Sequence, residues 1–160
     1  MSGLSSAAPI AGSSDRTGTP WLARGGLLVV AVLAFAAGLL VADQAETARA
    51  VAADPDLARL LRAMAGLKAL MAAAAVGVMM WRLASPIGPV RLALYAVSTA
   101  AMTAGPALIW NLVNIGFGAA LLHGGLLAAV MLLWRDPAVG ARLQAMIDNR
   151  RAALRRQPRA

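Results

Sequence analysis

Between Arg91 and Arg135 the chain runs for 43 residues without a formal charge. A helix crosses the roughly 30 Å hydrocarbon core of a bilayer in about 20 apolar residues. The run is therefore too long for one span at ordinary tilt and the right length for two. A turn at Asn111 to Asn114 divides it into Leu92 to Trp110 and Ile115 to Trp134. A division at Gly105-Pro106 gives badly unequal halves, so Pro106 is expected as a kink inside the first of these segments. Membrane helices tolerate such a proline where neighbouring groups satisfy the freed carbonyl. Trp110 and Trp134 then fall at the membrane interface, where aromatic side chains concentrate.

Two further apolar runs precede this one. Gly25 to Ala42 is uncharged and bounded by Arg24 and Asp43, long enough to span with little tilt. A cleaved signal is the competing reading, but its apolar core is about 7 to 15 residues and ends in an A-x-A-like site, and neither feature fits. Asp54-Pro55-Asp56 then reads as a helix start, with a capping carboxylate, a proline at the first helical position and an acid at the positive end of the helix. Leu57, Leu60, Leu61 and Met64 follow at helical spacing, and the pattern continues to Trp81 and Arg82 before the loop Ser85-Pro86-Ile87-Gly88-Pro89. Arg59 and Arg62 keep the first turns of that helix at the interface. The expectation is an all-α polytopic membrane protein: a four-transmembrane-helix bundle, spans about 25–42, 63–81, 92–110 and 115–134, with a short cytoplasmic amphipathic C-terminal helix.

Composition agrees, with 60% of residues hydrophobic and 14% charged, against about 45–50% and 25% in soluble domains. There is no cysteine, which excludes disulfides, thiolate metal sites, a lipobox anchor and thiol relays. Residues 1–23 are read as a disordered cytoplasmic leader, because Ser2 to Pro20 lack an apolar period. Residues 24–135 are read as the membrane domain and 136–160 as a basic, partly helical cytoplasmic tail. In that tail Asp136-Pro137 repeats the cap-and-proline start, and Val139, Leu143, Met146 and Ile147 form an apolar face expected to weaken after Asp148-Asn149.

Four spans place leader, middle loop and tail on one side, with Arg16, Arg24, Arg82, Arg91, Arg135, Arg142, Arg150, Arg151, Arg155, Arg156 and Arg159. The other side has only Arg49, Arg59 and Arg62, among the acids Asp43, Glu46, Asp54 and Asp56. Basic residues favour the cytoplasm, so both termini are expected there, in the inner (cytoplasmic) membrane of a bacterium. Arg142, Arg150, Arg151, Arg155 and Arg156 are the expected contacts to anionic lipid headgroups. Nucleic acid is not expected as a partner, since the tail has no stacking aromatic or reading motif.

Few residues carry chemistry. His123, the only histidine, falls at the middle of the fourth span. Pairing the last two spans as a hairpin sets it level with Met102. Tyr95, Ser98, Thr99, Met102 and Thr103 share one helical face, and that polar stripe is expected to face His123. Interhelical hydrogen bonding by His123 to Thr99 or Thr103 is the expected role. The sharper readings are a haem or metal site using His123 and Met102, a proton relay, and a Ser98–His123 nucleophile and base, which lacks an orienting acid. No cofactor and no metal is expected. Lys68 is close enough to its span end to snorkel. Small residues recur as Ala65, Ala69, Ala73 and Gly77, and as Gly116, Ala120, Gly124 and Ala128, marking close-packing faces. These features favour a non-catalytic accessory subunit, assembly factor or interaction partner in a larger membrane complex. The alternative is a small transporter or pore with His123 and the polar stripe lining a path.

Overall fold

The computed structural model describes residues 20–112 and 114–155, apart from the side chains of Arg142 and of residues 152–155. The expected leader therefore lies outside the described residues for all but its last four positions, which are helical. Among the described residues six helices run in order: α1 Pro20–Leu40, α2 Gln44–Ala53, α3 Pro55–Arg82, α4 Pro89–Trp110, α5 Ile115–Trp134 and α6 Pro137–Arg155. No strand occurs among the described residues. Helices α1, α3, α4 and α5 are long and apolar enough to cross a membrane.

Their boundaries follow local chemistry. α1 begins at Pro20, five residues before the expected start at Gly25, because proline suits the first turn and Arg24 finds a partner in α3 instead of ending the helix. Its Nε donates to the Met80 carbonyl at 3.0 Å. The link between the first two spanning-length helices is itself helical, and its second part starts at Asp54-Pro55 as expected. Asp43 caps α2 by accepting from Ala45 N at 2.8 Å, and Asp54 caps α3 by accepting from Leu57 N at 2.9 Å. Asp56 pairs with Arg59 at 3.2 Å, on the surface where such pairs contribute little. Arg49 turns to its own helix, donating to Ala45 O at 3.2 Å. Asp54→Ala should cost about 1 kcal/mol, measurable by chemical unfolding in detergent; an unchanged midpoint would show that the α2–α3 junction does not depend on this cap.

The fold is organised around α4, the most buried of the four long helices. α1, α3 and α5 each pack on it, whereas α1 and α3 touch only weakly. α3 is 28 residues long, about 42 Å at 1.5 Å per residue, so its first turns extend past a 30 Å core. Its buried residues Ala58, Ala65, Ala72 and Met79 recur every seven positions, with Val76 and Leu83 between and beyond them. That is the seam of a long helix packing at a shallow angle. The close-packing face expected here was Ala65, Ala69, Ala73 and Gly77; of these only Ala65 is buried.

α4 and α5 form the expected hairpin about Asn111–Asn114, with Leu112 and Asn114 at φ 61° and 54°. Pro106 lies within α4. The two backbones meet at glycines. A Cβ at Gly125 would lie 2.6 Å from Met102 N, and one at Gly105 would lie 2.5 Å from Gly118 O, both far inside van der Waals contact. The buried stripe of α5 is Gly118, Leu122, Gly125 and Ala129. This corrects the expected face, since nothing lies within 4 Å of a Cβ at Gly116 or Gly124. Asn111 ties the turn to α1, donating through Nδ2 to Leu39 O at 2.9 Å and Gly38 O at 3.2 Å, carbonyls that α1 itself leaves unpaired.

Candidate functional site

The polar stripe of α4 is buried. Tyr95, Ser98, Thr99, Met102 and Thr103 all lie in the interior, and most of their polar atoms have found partners. Ser98 Oγ donates to Gly125 O at 2.7 Å, Thr99 Oγ1 to Met79 S at 3.3 Å, and Thr103 Oγ1 to Thr99 O at 2.8 Å. The stripe acts as a seam between α4 and its neighbours: the hydroxyls of Ser98, Thr99 and Thr103 are small enough to let the helices close, and each of these three is satisfied by a carbonyl or sulfur.

His123 is not part of that seam. The hairpin register is as expected: Met102 lies against Gly125 and Gly105 against Gly118 and Leu122, which sets His123 level with Met102. The rotation about the α5 axis is not. At 100° per residue His123 stands well away from the buried line through Gly118, Leu122 and Gly125, and it is exposed. Its Nδ1 lies 2.7 Å from Ala119 O. A carbonyl only accepts, so Nδ1 carries the proton and donates, which in the neutral imidazole leaves Nε2 as a bare acceptor. The expected bond to Thr99 or Thr103 is absent. Neither the His123–Met102 ligand pair nor the Ser98–His123 pair is assembled, because Met102 and Ser98 are buried in the α4–α5 contact while His123 faces away from it. The physical reason is competition between faces. α5 can turn only one stripe to α4, and glycines with no side chain permit a closer approach than a face carrying an imidazole.

The strongest electrostatic feature was missed at the sequence level. Arg82 ends α3 and is buried, with 3% of its side chain exposed, and its Nε donates to Asp136 Oδ2 at 2.5 Å. Arg91 near the start of α4 approaches the other carboxylate oxygen at 3.7 Å. That same oxygen accepts from Ala138 N at 3.1 Å and so caps α6. One carboxylate thus joins α3, α4, α5 and α6 at one end of the molecule. Burial alone would raise the Asp136 carboxyl, but the hydrogen bonds from Arg82 and Ala138 and the charges of Arg82 and Arg91 outweigh it and hold it below the usual carboxylate range. Arg82 Nη1 and the Tyr95 hydroxyl are buried without a hydrogen-bond partner among the described residues. A signal was present in the sequence: between Arg82 and Arg142 Asp136 is the only acid, and it stands two residues after the end of a span.

Of the tail residues, Arg150 and Arg151 are exposed on α6, as are Leu143, Met146 and Ile147 on its apolar side. The helix continues to Arg155, six residues beyond the expected weakening at Asn149. The Arg142 and Arg155 side chains and all of Arg156 lie outside the described residues. Lys68 is half-buried between Ala65 and Ala72.

These features define an all-helical chain with four spanning-length helices, an internal polar seam, one buried ion-pair node and a histidine turned outward. Compared with known proteins, the chain matches no family model, no curated protein and no solved structure.

Proposed function

We propose that this chain is a non-catalytic component of a larger membrane assembly, docking on a partner through the outer face of α5. The observation that carries the reading is His123: an imidazole near the middle of a 20-residue apolar helix, exposed, with Nε2 unpaired. A polar group at that depth is costly against lipid, and a partner helix that supplies a hydrogen-bond donor removes the cost. Gly116, Ala120 and Gly124 are exposed on the same side of α5, so another backbone can approach closely. A second copy of this chain is the poorer partner, since two imidazoles each donating through Nδ1 present acceptors to one another. The pore reading has less support, because His123 and the α4 stripe do not line a common surface. The setting of this proposal is a multi-pass protein in a bacterial inner membrane with both ends cytoplasmic and the basic face of α6 on anionic lipid.

Reporter fusions after Pro89 and after Arg159 should both read cytoplasmic; an external signal at either would overturn this orientation. A photo-crosslinking residue at Leu127 should capture one heterologous membrane protein in cells. His123→Leu and Gly124→Leu should abolish that product without lowering the unfolding midpoint of the purified chain. Crosslinks to lipid alone, or only to a second copy, would sink the proposal, as would histidine-dependent proton leakage through reconstituted vesicles.

A further inference from the structure

α6 starts at Pro137, just after α5 ends at Trp134, an aromatic of the kind that sits at the membrane interface. Its first turn is held firmly. Asp136 is buried; one carboxylate oxygen accepts from Ala138 N, and the other from Arg82 at the end of α3. Beyond that turn the bundle offers no shelter: every described side chain from Ala141 to Arg151 is exposed. Among them are Leu143, Met146 and Ile147, the apolar row of the helix.

Helices in proteins draw most of their stability from packing an amphipathic face, and on α6 that face is left open. Charge selects what covers it. Residues 137–160 carry six arginines and one acid, Asp148, so an anionic surface fits. Because α6 is rooted at the end of a spanning-length helix, the anionic surface directly beside it is the lipid leaflet. A basic amphipathic helix rests there with its apolar row in the headgroup boundary, and anionic lipid attracts each arginine within reach.

We propose that Asp136 pins α6 to the membrane surface: by tying the first turn to the buried end of α3, the carboxylate sets the direction in which the helix leaves α5 and so lays Leu143, Met146 and Ile147 on anionic lipid. The pin makes the pose single. Without it α6 hangs from α5 by a chain free to turn at Arg135-Asp136, and the lipid contact becomes one pose among several. The pin rests on the membrane setting proposed above, which the reporter fusions test separately, and not on the α5 docking face.

The chain has no cysteine, so nitroxide labels can be placed at chosen positions. Val90→Cys and Leu143→Cys, both at exposed sites, are introduced together in the full-length protein and reconstituted in nanodiscs of phosphatidylcholine with phosphatidylglycerol. The label-to-label distance should be single. The label at position 143 should be relaxed by oxygen, which concentrates in lipid, and not by a water-soluble nickel chelate. In discs of phosphatidylcholine alone the oxygen preference should fall while the single distance persists, because the pin is internal to the chain. Asp136→Asn keeps an oxygen able to cap α6 but removes the charge that holds Arg82, and should spread the distance into a broad distribution. Arg82→Met combined with Asp136→Asn strands no charge and should show the same spread at the wild-type helix content by circular dichroism. A single distance in both variants would overturn the pin. A label at position 143 relaxed by the nickel chelate in anionic discs would overturn the lipid seat, as would one shielded from both reagents by a protein partner, or an oxygen preference indifferent to phosphatidylglycerol.

Discussion

Asp136→Ala is expected to lower the unfolding free energy by about 3–5 kcal/mol, the cost of removing one partner from a buried ion pair. The substitution leaves the Arg82 guanidinium, almost wholly buried, without its carboxylate, and it also removes the cap of α6. Arg82→Ala should be milder, because Arg91 and Ala138 N remain to stabilise the carboxylate. Replacing both, as Arg82→Met with Asp136→Ala, should recover part of the loss, since no charge is then stranded. The pH dependence has a definite sign. The Asp136 carboxyl is held below its usual value in the folded chain, so the unfolded chain binds its proton first as pH falls. Its contribution is therefore complete above the ordinary aspartate pKa of about 4 and is lost as pH drops through the lower folded value. Asp136→Asn should flatten that part of the stability profile. Unfolding in detergent from pH 6 to pH 3 measures both effects. Equal midpoints for wild type and Asp136→Ala would show that Arg82 is satisfied elsewhere.

What could be read from sequence was set by single-residue chemistry. Charges and prolines fix where an apolar helix stops, so the turn at Asn111, the caps at Asp54 and Asp136 and the four spanning-length segments were all accessible. The α1 start was placed late because Arg24 was treated as a boundary marker, whereas a guanidinium with a carbonyl to meet can sit inside a helix. The Arg82–Asp136 pair is separated by 54 residues. Counting charges by side of the membrane brought both to one end but gave no reason for them to touch; that needs the packing of α3 and α5 against α4.

Rotation about a helix axis was the harder quantity. In α5 nearly every residue is apolar, so no hydrophobic stripe distinguishes an inner from an outer face. The sequence reading took the small-residue series through Gly116 and Gly124 as the packing face and turned His123 toward the α4 stripe, whereas the fold packs the face through Gly118 and Gly125. A polar residue in an apolar helix was assumed to point inward. The structure instead satisfies one imidazole nitrogen within α5 itself and gives the inner face to the residues that allow the shortest backbone separation. The seam on α4 was readable because its polar residues cluster on one side; α5 has no such contrast.

Adjacent glycines of α5 should therefore respond with opposite sign. At Gly125 a methyl group would meet Met102 N at 2.6 Å and Ser98 O at 2.8 Å. Both are backbone atoms of a packed helix and cannot step aside, so α4 and α5 must separate. Separation stretches the Ser98 hydroxyl bond to the Gly125 carbonyl and loosens the contacts around Leu122 and Met102. Gly125→Ala should cost about 1–3 kcal/mol, with Gly125→Leu at or beyond the upper end. At Gly124 nothing lies within 4 Å of the added methyl. Replacing glycine by alanine inside a helix then favours the folded chain by up to about 1 kcal/mol through backbone entropy. Unfolding of the two single variants, side by side in one detergent, reads the difference directly. A loss at Gly124 with none at Gly125 would mean that α5 is turned by about one residue, 100° around its axis. His123 would then turn with it, and the outward imidazole on which α5 docking rests would no longer follow.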